Sequence, residues 1–192
     1  MPRVILASAS PRRQELLRLT GLSFEILPSA VDEGDVTGEP AEVARRLAER
    51  KAEEVAARHP DALVIGADTI VTLDGAILGK PVDAADARRM LAKLSGRTHQ
   101  VITGIALRGP GLALSDAVST DVTFRPLSPR EIAAYVATEE PMDKAGAYAL
   151  QGHAALFTPE IRGDYANVVG LPLCRLTDLL RACGYPVLDE PA

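Results

Sequence analysis

The chain has 192 residues, a net charge of −5, and ordinary apolar and charged fractions of 47% and 24%. This length predicts one domain, or two closely associated lobes, with a hydrophobic core that needs no disulfide or metal to hold it together. The negative charge argues against a nucleic-acid polymer as the partner, and no apolar run approaches membrane-spanning length, so we expect no membrane segment.

The two cysteines, Cys174 and Cys183, both fall within the predicted last helix. They are too far apart along that helix to form a bridge, which fits a reduced, cytosolic setting. Residues 1–3 lead directly into a short apolar strand, so we expect no signal peptide. The sequence therefore predicts a cytoplasmic protein.

The predicted elements alternate between apolar strands and amphipathic helices along the whole chain. Ser10 and Pro11 are typical of a helix start, and Ser128 with Glu131 predicts a capping box at another. In chain order, the predicted strands cover residues 4–7, 24–27, 63–71, 98–107, 112–124 and 154–157. The predicted helices cover residues 12–20, 40–58, 83 or 86 to 95, 128–138 and 173–183.

Asp68 interrupts the apolar strand predicted at residues 63–71. A carboxylate in a buried strand is costly unless a metal, a cation or several N–H donors stand beside it. Two interpretations stay open from this segment alone. Asp68 is either a functional carboxylate or a structural residue that accepts backbone hydrogen bonds at the end of the strand.

Arg12 and Arg13 lie in the first turn of the helix that begins at Pro11. The helix dipole is positive at that end, where acidic residues are preferred, so two cations there are unfavourable by themselves. Together with the hydroxyls of Ser8 and Ser10 and the free helix N–H groups, they predict a binding site for an anion. The alternative is a pair of solvated surface arginines.

Three further charged residues indicate a function only when they are considered together with the Arg12-Arg13 pair and Asp68. Glu33 lies in a long loop, Lys51 lies among the charges of the second helix, and Lys80 lies in a Gly-Lys-Pro turn whose spacing does not match a P-loop. Clustered Arg and Lys with one or two carboxylates suit a polyphosphate bound with a divalent cation. No Ser or Cys has an obvious activating base, so direct attack by water is the simplest mechanism.

Five motifs, spread in order over nearly the whole chain, resemble those of the Maf family of nucleoside triphosphate pyrophosphatases. They are Leu-Ala-Ser-Ala-Ser-Pro-Arg-Arg at 6–13, Gly-Ala-Asp-Thr at 66–69, Gly-Lys-Pro at 79–81, Ser-Gly-Arg-Thr-His at 95–99 and Asn-Val-Val-Gly-Leu-Pro at 167–172. The resemblance implies an α/β fold with a long mixed β-sheet flanked by helices, forming one domain over residues 1–192 with two lobes around a central cleft. It also implies cleavage between the α- and β-phosphates, which yields a monophosphate and pyrophosphate.

The resemblance assigns roles position by position. It makes Asp68 the general base, with Glu33 and Asp68 as ligands of a divalent metal cation, Mg²⁺ or Mn²⁺. It places the triphosphate against four residues: Ser8, Arg13, Lys51 and Lys80. Arg12, Thr69 and Gln151 match the members of the family that prefer dTTP and UTP. A Gln amide offers both a donor and an acceptor, which suits the carbonyl and N3–H edge of thymine or uracil. A role in clearing nucleotide pools follows from the same resemblance.

Two other functions stay open at this stage. Asp68-Thr69 after an apolar strand is reminiscent of haloacid-dehalogenase phosphatases, but those need a second Asp two residues on, where this chain has Ile70. The second alternative is a non-enzymatic, nucleotide-binding regulator of cell division. The sequence leaves the oligomeric state open and is compatible with a homodimer.

Overall fold

The computed structural model describes residues 3–32, 34 and 36–188, which form one seven-stranded sheet flanked by helices. The strands are β1 (Val4–Leu6), β2 (Glu25–Ile26), β3 (Leu63–Leu73), β4 (Ala76–Leu78), β5 (Thr98–Gly109), β6 (Leu112–Thr123) and β7 (Glu160–Arg162). The helices are α1 (Pro11–Arg18), α2 (Pro40–Arg58), α3 (Ala84–Leu94), α4 (Pro129–Val136), α5 (Tyr165–Val169) and α6 (Leu173–Ala182).

The sheet is mixed, with the strand order β2-β1-β3-β5-β6-β7 and with β4 paired to the end of β3. β1 runs parallel to β2 and β3, whereas β3, β5, β6 and β7 are antiparallel neighbours. This architecture confirms the predicted α/β class. The register places Asp68 opposite Gly104 and Thr69 opposite Thr103 on the two central strands.

Helix α2 lies directly against β3 and β5 because small residues face each other across the contact. Ala44, Ala48 and Ala52 recur every four residues on one face of α2 and are completely buried. A Cβ added to Gly66 would lie 2.3 Å from the Ala48 carbonyl oxygen, and one added to Gly104 would lie 2.1 Å from the Ala44 carbonyl oxygen. This close approach brings the adjacent residue of the helix, Lys51, within reach of the strand.

The two ends of strand β3 contribute to different apolar clusters. Leu63, Ile65 and Ala67 of β3 pack with α1 and α6 around Leu17. Val71 packs with α3 and α4 around Phe124. Asp68 and Thr69 occupy the stretch of β3 between these two clusters. The division of the chain into two lobes stays a prediction.

One predicted strand is wrong. Residues 153–157 form a 3₁₀ helix, His153–Phe157, instead of a strand. Ala154 and Phe157 are buried while the two residues between them are exposed, which is the three-residue period of a 3₁₀ helix and not the alternation of a strand. The strand that follows is β7, and α5, capped by Asp164, forms in a segment for which we predicted no helix.

The helices and the two cysteines bear on the expectations about membrane segments and disulfides. Among the helices of the described residues, none combines the length and the apolar character that crossing a membrane requires. Cys174 and Cys183 are free thiols.

Candidate active site

A cleft of about 770 Å³ collects the predicted site residues from distant parts of the chain. It is lined by the segment between β1 and α1, by α2, by the middle of β3, by the turn after β4, and by residues 143–151 and 168–170. Every predicted site residue within the described chain lines it: Ser8, Arg12, Arg13, Lys51, Asp68, Thr69, Lys80 and Gln151. The structure thus brings these residues together, and their individual roles stay predictions.

Asp68 forms a buried ion pair at this cleft. Its Oδ1 lies 2.5 Å from Nζ of Lys51, and the side chains of Asp68 and Lys51 are only 10% and 12% exposed. The ammonium group compensates a carboxylate that would otherwise be costly to bury in the middle of the sheet. Lys51, which the sequence assigned to the triphosphate, therefore also contacts the predicted catalytic residue.

Arg13 is held by three separate acceptors at the start of α1. Its Nε donates to the carbonyl oxygen of Gly170 at 2.8 Å, its Nη1 to Oγ of Ser8 at 3.3 Å and its Nη2 to Oγ1 of Thr69 at 3.0 Å. Ser10 caps the helix, and Pro11 is its first residue, as predicted. The guanidinium group of Arg13 is thus oriented by three parts of the chain and lies at the cleft.

A buried relay of hydroxyl and amide groups continues from Thr69. Its Oγ1 lies 2.9 Å from Oγ1 of Thr103, and the Thr103 hydroxyl donates to the Asn167 carbonyl oxygen at 2.9 Å. Because a hydroxyl carries one hydrogen, Thr103 has none left for Thr69, so Thr69 must be the donor between them. The Thr69 oxygen consequently acts only as an acceptor toward Arg13 and toward any ligand.

Asn167 anchors the far end of this relay. Its Oδ1 accepts from the backbone N–H of Thr103 at 3.1 Å, and its Nδ2 donates to the Val101 carbonyl at 2.9 Å and to the Thr120 hydroxyl at 2.8 Å. The side chain is completely buried and its amide is fully used. The relay therefore ties α5 and the three strands β3, β5 and β6 to Arg13.

An acidic residue stands beside Arg12 at the other side of the cleft. Asp143 pairs with the adjacent Lys144, and both line the cleft. Partial burial alone would raise the pKa of Asp143, but Lys144 and the nearby charge of Arg12 outweigh it and hold the pKa below its ordinary value. Arg12 therefore lies close enough to Asp143 for their opposite charges to interact.

Lys80 and Gln151 have exposed side chains, and a backbone hydrogen bond connects the two segments in which they lie. The carbonyl oxygen of Gly79, next to Lys80, accepts from the backbone N–H of Gly146 at 3.0 Å. This bond joins the turn after β4 to the segment that leads to Gln151. The two turns consequently form one continuous border of the cleft.

Only one of the two predicted metal ligands, Asp68, lies among the described residues. Glu33 lies outside the described residues, so the structure does not test its proximity to Asp68. No group of three or more His, Cys, Asp or Glu side chains suited to a metal occurs among the described residues. Asp68 alone still fits a magnesium site in which phosphate oxygens of a substrate supply the other ligands.

Sequence reasoning missed four side chains that belong to this region. Thr103 and Asn167 complete the relay, and Asp143 and Lys144 line the cleft. A polar Thr inside the buried run of β5 was an available signal for Thr103, because such a hydroxyl needs partners. The contacts of the other three depend on residues more than twenty positions away or on the course of an irregular segment.

The fold and the cleft together define an α/β protein with a cation-lined cleft that suits an anionic ligand. The chain belongs to the Maf family, because the family model described as "Maf-like protein" matches residues 3–183. The predicted resemblance is thereby confirmed.

Similar proteins cover the whole chain. It is 54% identical to a protein of Symbiobacterium thermophilum named dTTP/UTP pyrophosphatase, with 100% of both chains covered. It is 55% identical to a Geobacter sulfurreducens protein of the same name, over 95% of this chain and 97% of the relative. A HAM1 protein from Coxiella burnetii shares the fold, with a TM-score of 0.51 and 18% identity over 95% of this chain and 100% of that one.

Proposed function

We propose that this chain hydrolyses dTTP and UTP to the corresponding monophosphate and pyrophosphate. The observation that carries the proposal is the buried Asp68–Lys51 pair within a cleft that also presents Arg13 and Lys80. A carboxylate surrounded by cations suits the activation of water against a polyanion. The full-length similarity to relatives named dTTP/UTP pyrophosphatase supports the choice of nucleotide.

In the proposed reaction, Asp68 accepts a proton from a water molecule that attacks the α-phosphorus. The bond from that phosphorus to the oxygen bridging it to the β-phosphate breaks, and the two terminal phosphates leave as pyrophosphate. Lys51 holds the carboxylate in place. A positioned general base contributes about 10²–10⁴ in rate.

Positive charge and hydroxyl groups would hold the three phosphates. Arg13 can present its planar fork to phosphate oxygens, and Lys80 adds a mobile point charge at the opposite border. Ser8 supports Arg13 and lies at the same part of the cleft. These positive charges neutralise the phosphate oxygens, which would otherwise repel the lone-pair electrons of the attacking oxygen.

We propose a divalent cation, Mg²⁺ or Mn²⁺, as the cofactor. Asp68 would hold it together with phosphate oxygens, and Glu33 is the second ligand expected from the family resemblance. When bound, the cation supplies charge neutralisation at the phosphates. A role in clearing nucleotide pools of the cytoplasm stays a prediction from the resemblance.

Arg12, Thr69 and Gln151 are proposed to select the base. The Thr69 oxygen can only accept, which suits the N3–H of thymine and uracil, whereas N3 of cytosine has a lone pair instead. Near C4, Arg12 would find a carbonyl oxygen in thymine and uracil but an amine in cytosine. A buried donor facing a donor costs about 1–3 kcal/mol, so CTP should be a poorer substrate.

A panel of nucleoside triphosphates tests the proposal, with pyrophosphate and orthophosphate measured separately. We expect pyrophosphate from dTTP and UTP, a roughly ten- to hundredfold lower kcat/KM for CTP, and loss of activity when a chelator removes divalent cations. Orthophosphate as the first product would contradict the proposal and favour phosphatase chemistry.

A further inference from the structure

Gln151 lies in a tight turn that borders the cleft. The backbone N–H of Gly152 donates to the Ala149 carbonyl oxygen at 3.0 Å, so residues 149–152 close a turn with Gln151 at its third position. Leu150 is buried in the apolar cluster around Phe124, while the Gln151 side chain is exposed. The direction in which Gln151 points is therefore set by how the ends of this turn are held.

The first end of the turn is held by Tyr135 of helix α4. The Tyr135 hydroxyl accepts from the backbone N–H of Ala149 at 3.0 Å and donates to Oε1 of Glu140 at 2.8 Å. Because its hydrogen goes to the carboxylate, the oxygen faces Ala149 as an acceptor. Glu140 thus determines the orientation of the hydroxyl that binds the turn.

The second end is held by Glu140 itself. Both carboxylate oxygens accept from the backbone N–H of His153 at 3.1 Å, and Oε2 lies 2.7 Å from Nδ1 of the same residue. Since a carboxylate only accepts, Nδ1 of His153 must carry the hydrogen. One side chain therefore binds both ends of the turn, one of them through Tyr135.

The carboxylate also packs against the turn. A Cβ on Gly152 would lie 2.3–2.4 Å from the carboxylate atoms of Glu140, closer than any real contact. Only glycine at position 152 allows this approach. The Glu140 side chain is 19% exposed, so these hydrogen bonds are largely shielded from water.

We infer that Glu140 is a positioning residue for Gln151 and so contributes to selection of the base without touching the nucleotide. This inference rests on the proposed function, in which Gln151 meets the base. The hydrogen bonds of Glu140 described above go to Tyr135 and His153, and neither of these is a proposed phosphate ligand. Loss of the Glu140 carboxylate should consequently alter the preference among bases and leave phosphate binding unchanged.

Glu140→Gln is the decisive variant. The amide keeps one acceptor oxygen but replaces the other with an NH₂ group, so one end of the turn meets a donor instead of an acceptor. We expect the ratio of kcat/KM for dTTP to that for CTP to fall roughly three- to tenfold, mainly through a higher KM for dTTP. Inhibition by pyrophosphate, which has no base, should keep its wild-type constant.

Two variants complete the experiment. Glu139→Gln makes the same charge change one residue earlier, at an exposed site, and should keep the wild-type ratio. His153→Ala removes one contact of Glu140 through a side chain that is 62% exposed, so the fold is preserved even if Glu140→Gln is unstable. It should lower the ratio roughly two- to threefold.

The outcomes separate this inference from the proposed function. If Gln151→Ala lowers the ratio but both Glu140→Gln and His153→Ala retain it, the positioning role is wrong and the proposed function stands. If Glu140→Gln lowers turnover of dTTP and CTP equally and weakens pyrophosphate inhibition, the role is merely structural, which also overturns the inference. A wild-type protein without preference for dTTP over CTP would overturn both.

Discussion

The two sides of the cleft are constructed differently. On the side that holds Ser8, Arg13, Lys51 and Asp68, which we call the phosphate side, the residues lie on or beside regular helices and strands. On the other side, the turn of residues 149–152 lies between short 3₁₀ helices. The first side owes its geometry to the sheet, and the second owes it to a few hydrogen bonds from Glu140 and Tyr135.

We expect this difference to separate the proposed catalytic residue, Asp68, from Gln151, one of the three residues proposed to select the base. Asp68 is fixed by strand register and by the close packing of α2, so its position depends on the core of the protein. Gln151 depends on side-chain hydrogen bonds that substitutions can change without disturbing the core. We therefore expect catalytic power and base preference to respond to different substitutions.

Replacing Asp68 should lower catalytic turnover without changing the base preference. We expect it to have the largest effect of the substitutions proposed for this comparison. Asp68→Asn keeps the size of the side chain but removes the base, and kcat should fall by on the order of 10²–10⁴. The dTTP to CTP ratio should stay near its wild-type value, measured by pyrophosphate release. Asp178→Asn, at an exposed position on α6, is the control. More than a tenth of wild-type turnover in Asp68→Asn would contradict the assignment.

The free energy of unfolding should depend on pH through His99, which lies in the core behind the Gln151 turn. His99 is buried against Phe124, and its Nε2 lies 2.8 Å from the hydroxyl of Tyr148, next to Ala149. Burial lowers the pKa of His99 from 6.5 to about 4. The unfolded chain therefore binds a proton that the folded chain does not between these values. The free energy of unfolding should fall as the pH drops through this range, by at most about 3 kcal/mol.

Denaturant unfolding between pH 7 and pH 4.5 measures this dependence. His99→Phe removes the titrating ring and should flatten the pH dependence, even though its stability at pH 7 also changes. An unchanged slope in His99→Phe would show that other groups cause it.

Substitution of Thr103 should have the smallest effect. It tests the chain of hydrogen bonds that runs from Arg13 through Thr69 to Asn167. Thr103→Val keeps the shape of this buried side chain but removes the acceptor for the Thr69 hydroxyl. Arg13 then loses a fixed partner, and inhibition by pyrophosphate should weaken roughly two- to tenfold. Thr103→Ser retains the hydroxyl and should stay close to wild type. Equal loss in both variants would indicate a packing defect.

Much of the site could be predicted from the sequence, because several of its groups carry a local signal. The Arg12-Arg13 pair at a helix start and Asp68 in an apolar strand are unusual for their immediate neighbourhoods, whatever the fold. Lys51 carried no such signal. Its ion pair with Asp68 depends on two glycines, Gly66 and Gly104, that let α2 approach the sheet.

The segment after α4 was the least predictable part of the fold. Residues 153–157 are apolar enough for a strand, yet Glu140 binds the backbone N–H of His153 and Gly152 packs on the same carboxylate. These partners are thirteen and twelve positions away in the chain, and neither strand nor helix periodicity relates them. Tertiary contacts therefore override the local preference for a strand.

Contacts between near neighbours in the chain can be predicted from the sequence. They include the strands and helices that follow periods of 2 and 3.6, and the caps of α1 and α4. The hydrogen-bond directions along Thr69, Thr103 and Asn167 become visible only in the folded chain. The same holds for the binding of both ends of the Gln151 turn by Glu140. The physical reason is that a hydrogen bond requires its two atoms within about 3 Å of each other. For residues far apart in the chain, strand register and helix packing set that distance, and local sequence patterns do not encode it.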